Sequence, residues 1–304
     1  MRPRIAIATS ARGLDRDPDL EPLRSALTTR GADPQLAVWN DPGVDWSTFH
    51  ATVVRSTWDY ALQRSAFLDW AAIVERSGPI WNPAPLLTWN TDKRYLFELQ
   101  SAGVPVVPTR HVAPGDDPTL PELPAFPEID DDGPAAEVVV KPAVSAGARD
   151  TDRYRHDQAA EALGHVRRLL DEGRAVLVQP YLPSVDVRGE RALIFVEGAF
   201  SHAVAKGPIL RPDADLPAEV LADRFTEDQI AAVTPSAAEH AVAEAALRFA
   251  ADRFGVPLYA RVDLVDGPDG PCVLELELAE PSLYHAWRPG SVDRLAEALL
   301  TRLG

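Results

Sequence analysis

The chain has little that ties it to an oxidising compartment, a membrane or a polyanion. One cysteine, Cys272, stands among 304 residues, so no internal disulfide is available. No N-terminal apolar segment has the length and flanks of a signal peptide or a membrane span, and the expected location is cytoplasmic with no membrane partner. Cations are the minority: 30 Lys and Arg face 46 Asp and Glu, a net charge of −16. That balance opposes adsorption to nucleic acid or anionic lipid, both of which rely on clustered Lys and Arg. Small molecules or proteins are the expected partners. The first apolar run ends in ATSARG without a G-x-G-x-x-G, which removes the dinucleotide-binding fingerprint. The seven histidines lack metal-ligand spacing, and no internal repeat or sustained heptad pattern is found.

What is present is an apolar content of 46%, enough to bury a sizeable core and to build two or three subdomains around one cleft. RPRIAIATS, PQLAVWN and TVVRSTWDY read as strands that alternate with helices in LEPLRSALTTRG and FLDWAAIVERSG. This order implies a parallel sheet whose ligands sit beyond the carboxyl ends of its strands. We assign residues 1–88 to a small α/β domain. A helix is expected from Asn90 or Thr91 through DKRYLFELQSAG, with Asp92 and Lys93 in its first turn and Gly103 as its stop. The segment 113–136, loaded with Pro, Asp and Gly, reads as a loop. AEVVVKPAVSAGARD is a strand ending at Lys141, DQAAEALGHVRRLLDEG an amphipathic helix, and AVLVQPYL a strand. RALIFVEGAFSHAVAKG reads as a hairpin turning at Glu197 and Gly198. Ser236 with Glu239 marks a capping box for EHAVAEAALRFAADRFG, YARVDLV and CVLELEL pair around DGPDG, and SVDRLAEALLTRLG closes as a helix. The remaining boundaries are 89–178 and 179–304, an α+β body behind the α/β domain.

CVLELELAE at 272–280 sets Glu275 and Glu277 two residues apart, on one face of a strand, with Leu274, Leu276 and Leu278 on the other. The neighbouring strand adds Asp263. Three carboxylates repel one another unless cations sit among them, and oxygen-only ligands suit Mg²⁺, which completes its shell with waters and phosphates. The alternative is a solvated sheet face. If Mg²⁺ implies phosphate, Lys141 at a strand end is placed to reach it, and Ser145, Ala146 and Gly147 let backbone N–H groups approach an anion. An ordinary strand-to-loop turn is the competing reading, and Lys93 alone reads as a solvated helix residue. Arg55, Ser56, Thr57, Asp59 and Tyr60, at a strand end of the first domain, are candidates to recognise a carboxylate or amino group, with Trp58 structural. His202 either touches substrate or is a half-buried polar residue. Cys272, in an apolar strand, is expected to be a buried structural thiol.

Taken in order, Asp-Lys near a helix start, Lys-Pro before a small-residue loop, Val-Gln-Pro-Tyr, Arg-x-Asp and E-x-E resemble the ATP-grasp superfamily over about residues 90–285. The resemblance implies a glutathione synthetase-like ATP-grasp fold: an N-terminal parallel-sheet domain, a small lid subdomain and a C-terminal α+β domain. It implies that Lys93 and Lys141 contact nucleotide phosphates under the Ser145–Gly147 loop. Gln179, Pro180, Tyr181 and Leu182 would form the hinge that holds adenine, and Asp263, Glu275 and Glu277 would bind two Mg²⁺ ions, with Mn²⁺ as a substitute. Arg191 and Lys206 resemble the basic residues aimed at the transferred phosphate, and Arg261 the arginine that steadies a tetrahedral intermediate. Glu280 and Ser282 are further candidate substrate contacts. The chain departs from many relatives at Glu277, where they carry Asn, in its glycine-poor phosphate loop, and in LAEPSLYH, where they have a tighter turn. STWDY, WNTDK, GERALIF, FSHAVAKG and ELELAEPSLY are similar to an actinobacterial group that includes the cyclo-ligase of cycloserine biosynthesis. The implied activity is ATP- and Mg²⁺-dependent C–N ligation of a small amino-acid-like substrate through a phosphorylated carboxyl or carbonyl oxygen, the nucleophile lying within the same molecule in the cycloserine case. Such ligases are often homodimers. The rival expectation is a regulatory protein that keeps the fold and ATP but lacks turnover.

Overall fold

The computed structural model describes residues 2–117, 137–208, 210 and 229–304. Most of the loop expected over 113–136 therefore lies outside the described residues. The apolar runs at the start of the chain form β1 (Arg4–Thr9), β2 (Asp33–Val38), β3 (Ala51–Val54) and β4 (Ile80–Trp81), paired in parallel in the order β2-β1-β3-β4. β1 and β3 are almost wholly buried, which is why their sequence is continuously apolar instead of alternating. Helices Leu20–Thr29 and Arg64–Ser77 connect them. β4 is two residues long, too short to leave a periodic signal.

A second, antiparallel sheet contains β5 (Arg110–Val112), β6 (Glu137–Pro142), β7 (Asp152–Arg155) and β8 (Val176–Pro180) in the order β5-β8-β6-β7. Helix Ala159–Asp171 covers it with Ala162, Val166 and Leu169 against Val138, Val140, Val176 and Val178, a small core of its own. Gln179 and Pro180 end β8 and so belong to this sheet.

The third sheet holds β9 (Glu190–Val196), β10 (Ala199–Lys206), β11 (Ile230–Val233), β12 (Tyr259–Gly267) and β13 (Gly270–Glu277), antiparallel in the order β11-β10-β9-β12-β13. β9 turns into β10 at Glu197 and Gly198, both at positive φ (53° and 69°), the conformation that a two-residue hairpin of matching twist needs. The Ser236–Glu239 capping box starts helix Ala237–Phe254, whose Ala243, Ala246 and Leu247 pack on Leu193, Phe195, Val262 and Leu276. The opposite face of the same sheet, through Ile194, Val204 and Tyr259, shares one core with Ile5, Ile7, Leu23 and Leu27 of the first domain and with Leu295 and Leu299 of helix Ser291–Thr301. Each such fully buried side chain contributes about 1.5–3 kcal/mol, so this shared core joins the first and third sheets firmly.

Two local departures from the sequence expectations matter. The helix expected from residue 90 or 91 is instead two helices, Ala84–Asn90 and Tyr95–Ser101. Asp92 and Lys93 lie in the junction: Thr91 Oγ1 bonds back to the Leu87 carbonyl (2.8 Å), Asp92 Oδ1 accepts from Arg94 N (3.1 Å), and Lys93 N donates to the Ala143 carbonyl (2.8 Å). The second departure is a register shift between Asp263 and Leu264. It moves Leu274 into a cluster with Val265 and Cys272, while Leu276 and Leu278 pack on the other side of the sheet. Among the described residues, no helix is long and apolar enough to cross a membrane.

Candidate active site

The register β12–β13 places Arg261 opposite Glu277 and Asp263 opposite Glu275. β10–β9 places Lys206 opposite Glu190. Side chains at these paired positions share one face of the third sheet, so acids and cations collect there. Lys206 Nζ donates to Asp263 Oδ2 (2.7 Å) and pairs with Glu190 Oε2 (2.8 Å). Arg261 grips both oxygens of Asp263 (2.9 Å each), bonds Glu277, and donates through Nη1 to the Ser282 carbonyl (3.1 Å). Lys93 Nζ reaches Glu275 Oε1 (3.1 Å), the Ser145 carbonyl (2.7 Å) and the Ser145 hydroxyl (3.2 Å). The repulsion expected among Asp263, Glu275 and Glu277 is thus offset here by Lys93, Lys206 and Arg261 of the chain itself.

The electrostatics follow from these pairings. Burial opposes ionisation of Asp263, but Arg261 and Lys206 outweigh it and hold the carboxyl below its usual range. Burial likewise acts against Glu275, with Lys93 and Lys141 prevailing to lower it. Glu277 goes the other way: burial, with Glu275 and Asp263 nearby, pushes it up to about 7 against the pull of Arg261 and, more weakly, of Lys206. Glu280 is pushed up to about 8 by burial and by Glu277. Lys206 is raised above the ordinary lysine value because Asp263 and Glu190 overcome its burial. Lys141 is 6% exposed, and among the described residues its ammonium has neither a hydrogen bond nor an ion pair. Burial lowers it to about 8, with Glu275 opposing and Lys93 adding to the drop.

The other expected residues are placed as follows. Ser145 is buried, held by Lys93 and by the Tyr60 hydroxyl (3.5 Å to its carbonyl), and Gly147 takes a positive φ of 63° in the turn after it. Gln179 is buried, its amide on Thr109 Oγ1 (2.8 Å). Pro180 ends β8, Tyr181 N bonds the Glu137 carbonyl (2.8 Å), and Leu182 packs near Tyr181 and Val185. Ser56 joins Thr9 Oγ1 (2.7 Å), Thr57 is buried with its hydroxyl unpartnered, and Asp59 accepts from Trp39 Nε1 (2.7 Å). His202 is buried and bonds the Leu283 carbonyl (2.9 Å). Arg55 is 1% exposed and donates to the Pro281 carbonyl (2.9 Å). Cys272 is buried and its thiol is pushed up to about 11 by burial, as expected of a structural thiol.

Arg191 does not join this cluster. It pairs in register with Ala205 and Leu264, on the opposite face from Lys206, and its Nε donates to Glu239 (3.2 Å) at the start of helix Ala237–Phe254. Its face is set by the pairing with Leu264 on β12, one residue from Asp263, while a bulge between Phe200 and His202 shifts β10 by one residue and brings Lys206, in place of Ala205, onto the face of the acids.

Comparison with known proteins bears on this arrangement. The chain is 40% identical over 306 residues, 98% of each partner, to the cycloserine biosynthesis protein DcsG of Streptomyces lavendulae. It belongs to the DcsG family. A crystal structure of D-cycloserine synthetase DcsG superposes with a TM-score of 0.90 at 40% identity, covering 99% of this chain and all of that one. The profile of the DcsG N-terminal domain matches residues 5–82. A D-alanine–D-alanine ligase of Bacillus anthracis (11% identity, TM-score 0.67, 100% and 97% covered) shares the fold. So does a RimK-domain ATP-grasp protein of Sphaerobacter thermophilus (20%, 0.61, 98% and 99%). The expected ATP-grasp fold is therefore the observed one, and the chain is an ATP-dependent ligase of that class.

Within this DcsG-family chain, the sequence reading missed Glu190 and the two asparagines that stitch the site together. Glu190 was signalled only by its register with Lys206. Asn82 bonds the Leu278 carbonyl (2.7 Å), the Tyr259 carbonyl (3.0 Å) and the Leu258 N–H (2.7 Å), while Asn90 bonds the Leu276 carbonyl and the Leu278 N–H (2.7 Å each). Single asparagines aimed at backbone leave no pattern in a sequence.

Proposed function

We propose that this protein phosphorylates a carboxyl or carbonyl oxygen of a small amino-acid-like substrate with ATP and then forms a C–N bond, closing a ring when the nitrogen lies in the same molecule. The observation that carries this reading is Lys141, a buried ammonium with no protein partner among the described residues, beside a face where every other cation is paired. Burying an unpartnered charge is costly, and a phosphate is the anion that offsets it best. Lys93 and Lys141 would hold the phosphates, the Ser145–Gly147 loop would lie over them, and the Gln179–Leu182 segment would take the base. Of the proposed divisions 1–88, 89–178 and 179–304, the second boundary falls inside β8, so Gln179 and Pro180 stand in the same sheet as Lys141 and this sheet would carry both the phosphate and the base contacts.

Glu275 and Glu277 fit Mg²⁺ by chemistry: both are oxygen donors and partly exposed, while both oxygens of Asp263 are already engaged. Among the described residues no three His, Cys, Asp or Glu are grouped as a metal cage. Mg²⁺ ordinarily uses one or two carboxylates and draws its other ligands from water and phosphate, so the donor set suits it. When bound, Mg²⁺ would supply neutralising charge at the transferring phosphate.

The chain's own residues do the rest in this reading. The substrate oxygen bonds to the γ-phosphorus as the bond to ADP breaks. The nitrogen lone pair then bonds to the activated carbon, phosphate leaves, and the nitrogen gives its proton to solvent. Lys206 and Arg261 are already desolvated and hydrogen-bonded, so they meet the charge of both steps with little rearrangement. The second sheet excludes water that would hydrolyse the phosphorylated intermediate. The kinship with DcsG, named for cycloserine biosynthesis, supports an amino-acid-like substrate that closes to a ring, and the sequence resemblance to the cyclo-ligase of that biosynthesis puts O-substituted serines first in the panel.

The test is ATP consumption across a panel of amino acids and O-substituted serines, with mass spectrometry of the products. Mg²⁺-dependent release of ADP and phosphate with a cyclic product supports the proposal. Tight nucleotide binding without turnover on any member favours a regulatory protein instead.

A further inference from the structure

Between the end of β13 and helix Ser291–Thr301 the backbone runs without a strand partner, yet its carbonyls are buried and have to be satisfied. Six consecutive carbonyls are met by six side chains. Leu278 is taken by Asn82 (2.7 Å), Ala279 by the Tyr259 hydroxyl (2.9 Å), and Glu280 by Trp58 Nε1 (3.2 Å). Pro281 is taken by Arg55 Nη2 (2.9 Å), Ser282 by Arg261 Nη1 (3.1 Å), and Leu283 by His202 Nε2 (2.9 Å). Asp19 accepts the N–H groups of Leu283 (3.0 Å) and His285 (3.2 Å). Asn82, Trp58, Arg55 and Asp19 come from the first 90 residues, on the far side of the shared core.

This grip leaves two side chains over. Among the described residues, neither the Glu280 carboxylate nor the Ser282 hydroxyl has a protein partner, although their backbones are held on both sides. Arg55 is 1% exposed, its guanidinium lies 5.1 Å from the Tyr259 ring with Asp19 4.0 Å away, and its Nη2 is given to the Pro281 carbonyl while Nε and Nη1 have no hydrogen-bond partner among the described residues. The same strip is continuous with the acids through Arg261, which holds Ser282 with one nitrogen and Asp263 with two others.

We propose that Arg55, Trp58 and Asp19 are positioning residues that fix the backbone of residues 280–285 so that Glu280 and Ser282 present their side chains to the amino-acid substrate. Their part in the reaction rests on the ligase function proposed above, whereas the grip itself does not. Fixing those two groups from behind saves the ordering cost at the moment of binding, and a shift of their backbone by a fraction of a residue is enough to weaken a positioned contact.

The experiment compares Asp19→Ala, Arg55→Met and Arg55→Lys with the parent chain. Amide exchange at Leu283 and His285 is read with no substrate present. In Asp19→Ala both amides should exchange at least about tenfold faster while β12 and β13 stay protected, since each loses a charge-assisted hydrogen bond. KM for the amino-acid substrate should rise about tenfold or more in Asp19→Ala and Arg55→Met, with the affinity for ADP within about twofold of the parent. Arg55→Lys, which keeps one donor for the Pro281 carbonyl, should recover part of the loss. Unchanged exchange at Leu283 and His285, or ADP affinity falling as far as substrate affinity, overturns the proposal. Should Asp19→Ala fail to fold, Trp58→Phe, which removes the bond to the Glu280 carbonyl and leaves Asp19 on its two amides, carries the KM and ADP comparison, and an unchanged KM there overturns the proposal. If the parent chain turns over no amino-acid substrate, the ligase proposal fails, and the exchange result still decides the grip.

Discussion

Replacing Lys141 with methionine separates ligand binding from folding, because the two should move in opposite directions. The ammonium is buried without a partner and its pKa drops from 10.5 to about 8, a penalty on the charged form of about 3 kcal/mol. Since the folded value lies below the unfolded one, the unfolded chain binds more protons between pH 8 and 10.5, and stability rises with pH across that window. At pH 7 the penalty is present in full. Lys141→Met keeps nearly the length of the side chain and removes the charge, so the ligand-free variant should be more stable at pH 7 by up to about 3 kcal/mol, a figure already net of the attraction to Glu275. For a chain of this size that is several degrees in Tm, at about 2–4 °C per kcal/mol. The variant should also lack the parent's rise in stability from pH 8 to 10.5. Nucleotide binding should suffer: a hydrogen bond to a charged group is worth about 1.5–3 kcal/mol, so KM for ATP should rise about ten- to a hundredfold. Melting of the ligand-free proteins and steady-state kinetics against ATP give both numbers. A variant with the parent's KM for ATP, or one whose Tm falls in step with its affinity, refutes the assignment of Lys141 to phosphate.

Three further outcomes are expected. Glu275→Ala should lose turnover by about a hundredfold or more and also lower Tm, because the buried Lys93 and Lys141 lose their nearest carboxylate although Lys93 keeps its bonds to Ser145; near-normal turnover would remove Glu275 from the site. Glu277 is raised from 4.5 to about 7, so the folded state holds the extra proton between those values and this group's contribution to stability falls as pH rises through them. Mg²⁺ affinity should increase over the same window, and in Glu277→Gln that pH dependence should vanish; a persistent dependence assigns it elsewhere. Cys272, buried and with its thiol pushed up to about 11, should resist a thiol reagent at pH 8 until denaturant is added, and fast labelling of the native protein would contradict the packing seen here.

The acidic strip was legible because it needed only a short turn and a period of two. DGPDG fixes the β12–β13 hairpin, and the strict alternation of Glu275 and Glu277 fixes their face. Arg191 was not legible for the same kind of reason. In an ideal hairpin turning at Glu197 and Gly198, Arg191 would oppose Val204 and share a face with Lys206. The bulge after Phe200 adds one residue to β10, so Arg191 opposes Ala205 and Lys206 crosses to the acid face, while Arg191, paired with Leu264, stays on the helix face. A one-residue slip inverts every later assignment on a strand, and no composition marks where the slip occurs. Asp92 and Lys93 show a different limit. Their helical pattern is real, but the Ala143 carbonyl takes the Lys93 N–H from 50 residues away, and a tertiary bond of that span outweighs local propensity.

By bringing Lys206 to the acid face the bulge also settles the charge of the site. With Arg191 turned away, the acids Glu190, Asp263, Glu275 and Glu277 meet the cations Lys93, Lys141, Lys206 and Arg261, four against four, so the cluster is close to neutral inside a chain of net charge −16. A neutral cluster does not draw a triphosphate from a distance, and the field of the whole chain opposes one. Affinity in the proposed reaction has to come from short-range contacts, and the polyanion has to arrive with its own countercharge. In the proposed reaction divalent ions at the two partly exposed glutamates would supply that countercharge, and Lys141, unpartnered among the described residues, would supply the contact. The same geometry gives Glu277 a task that an apolar residue could not take: it accepts a further hydrogen bond from Arg261, whose other N–H groups already serve Asp263 and the Ser282 carbonyl.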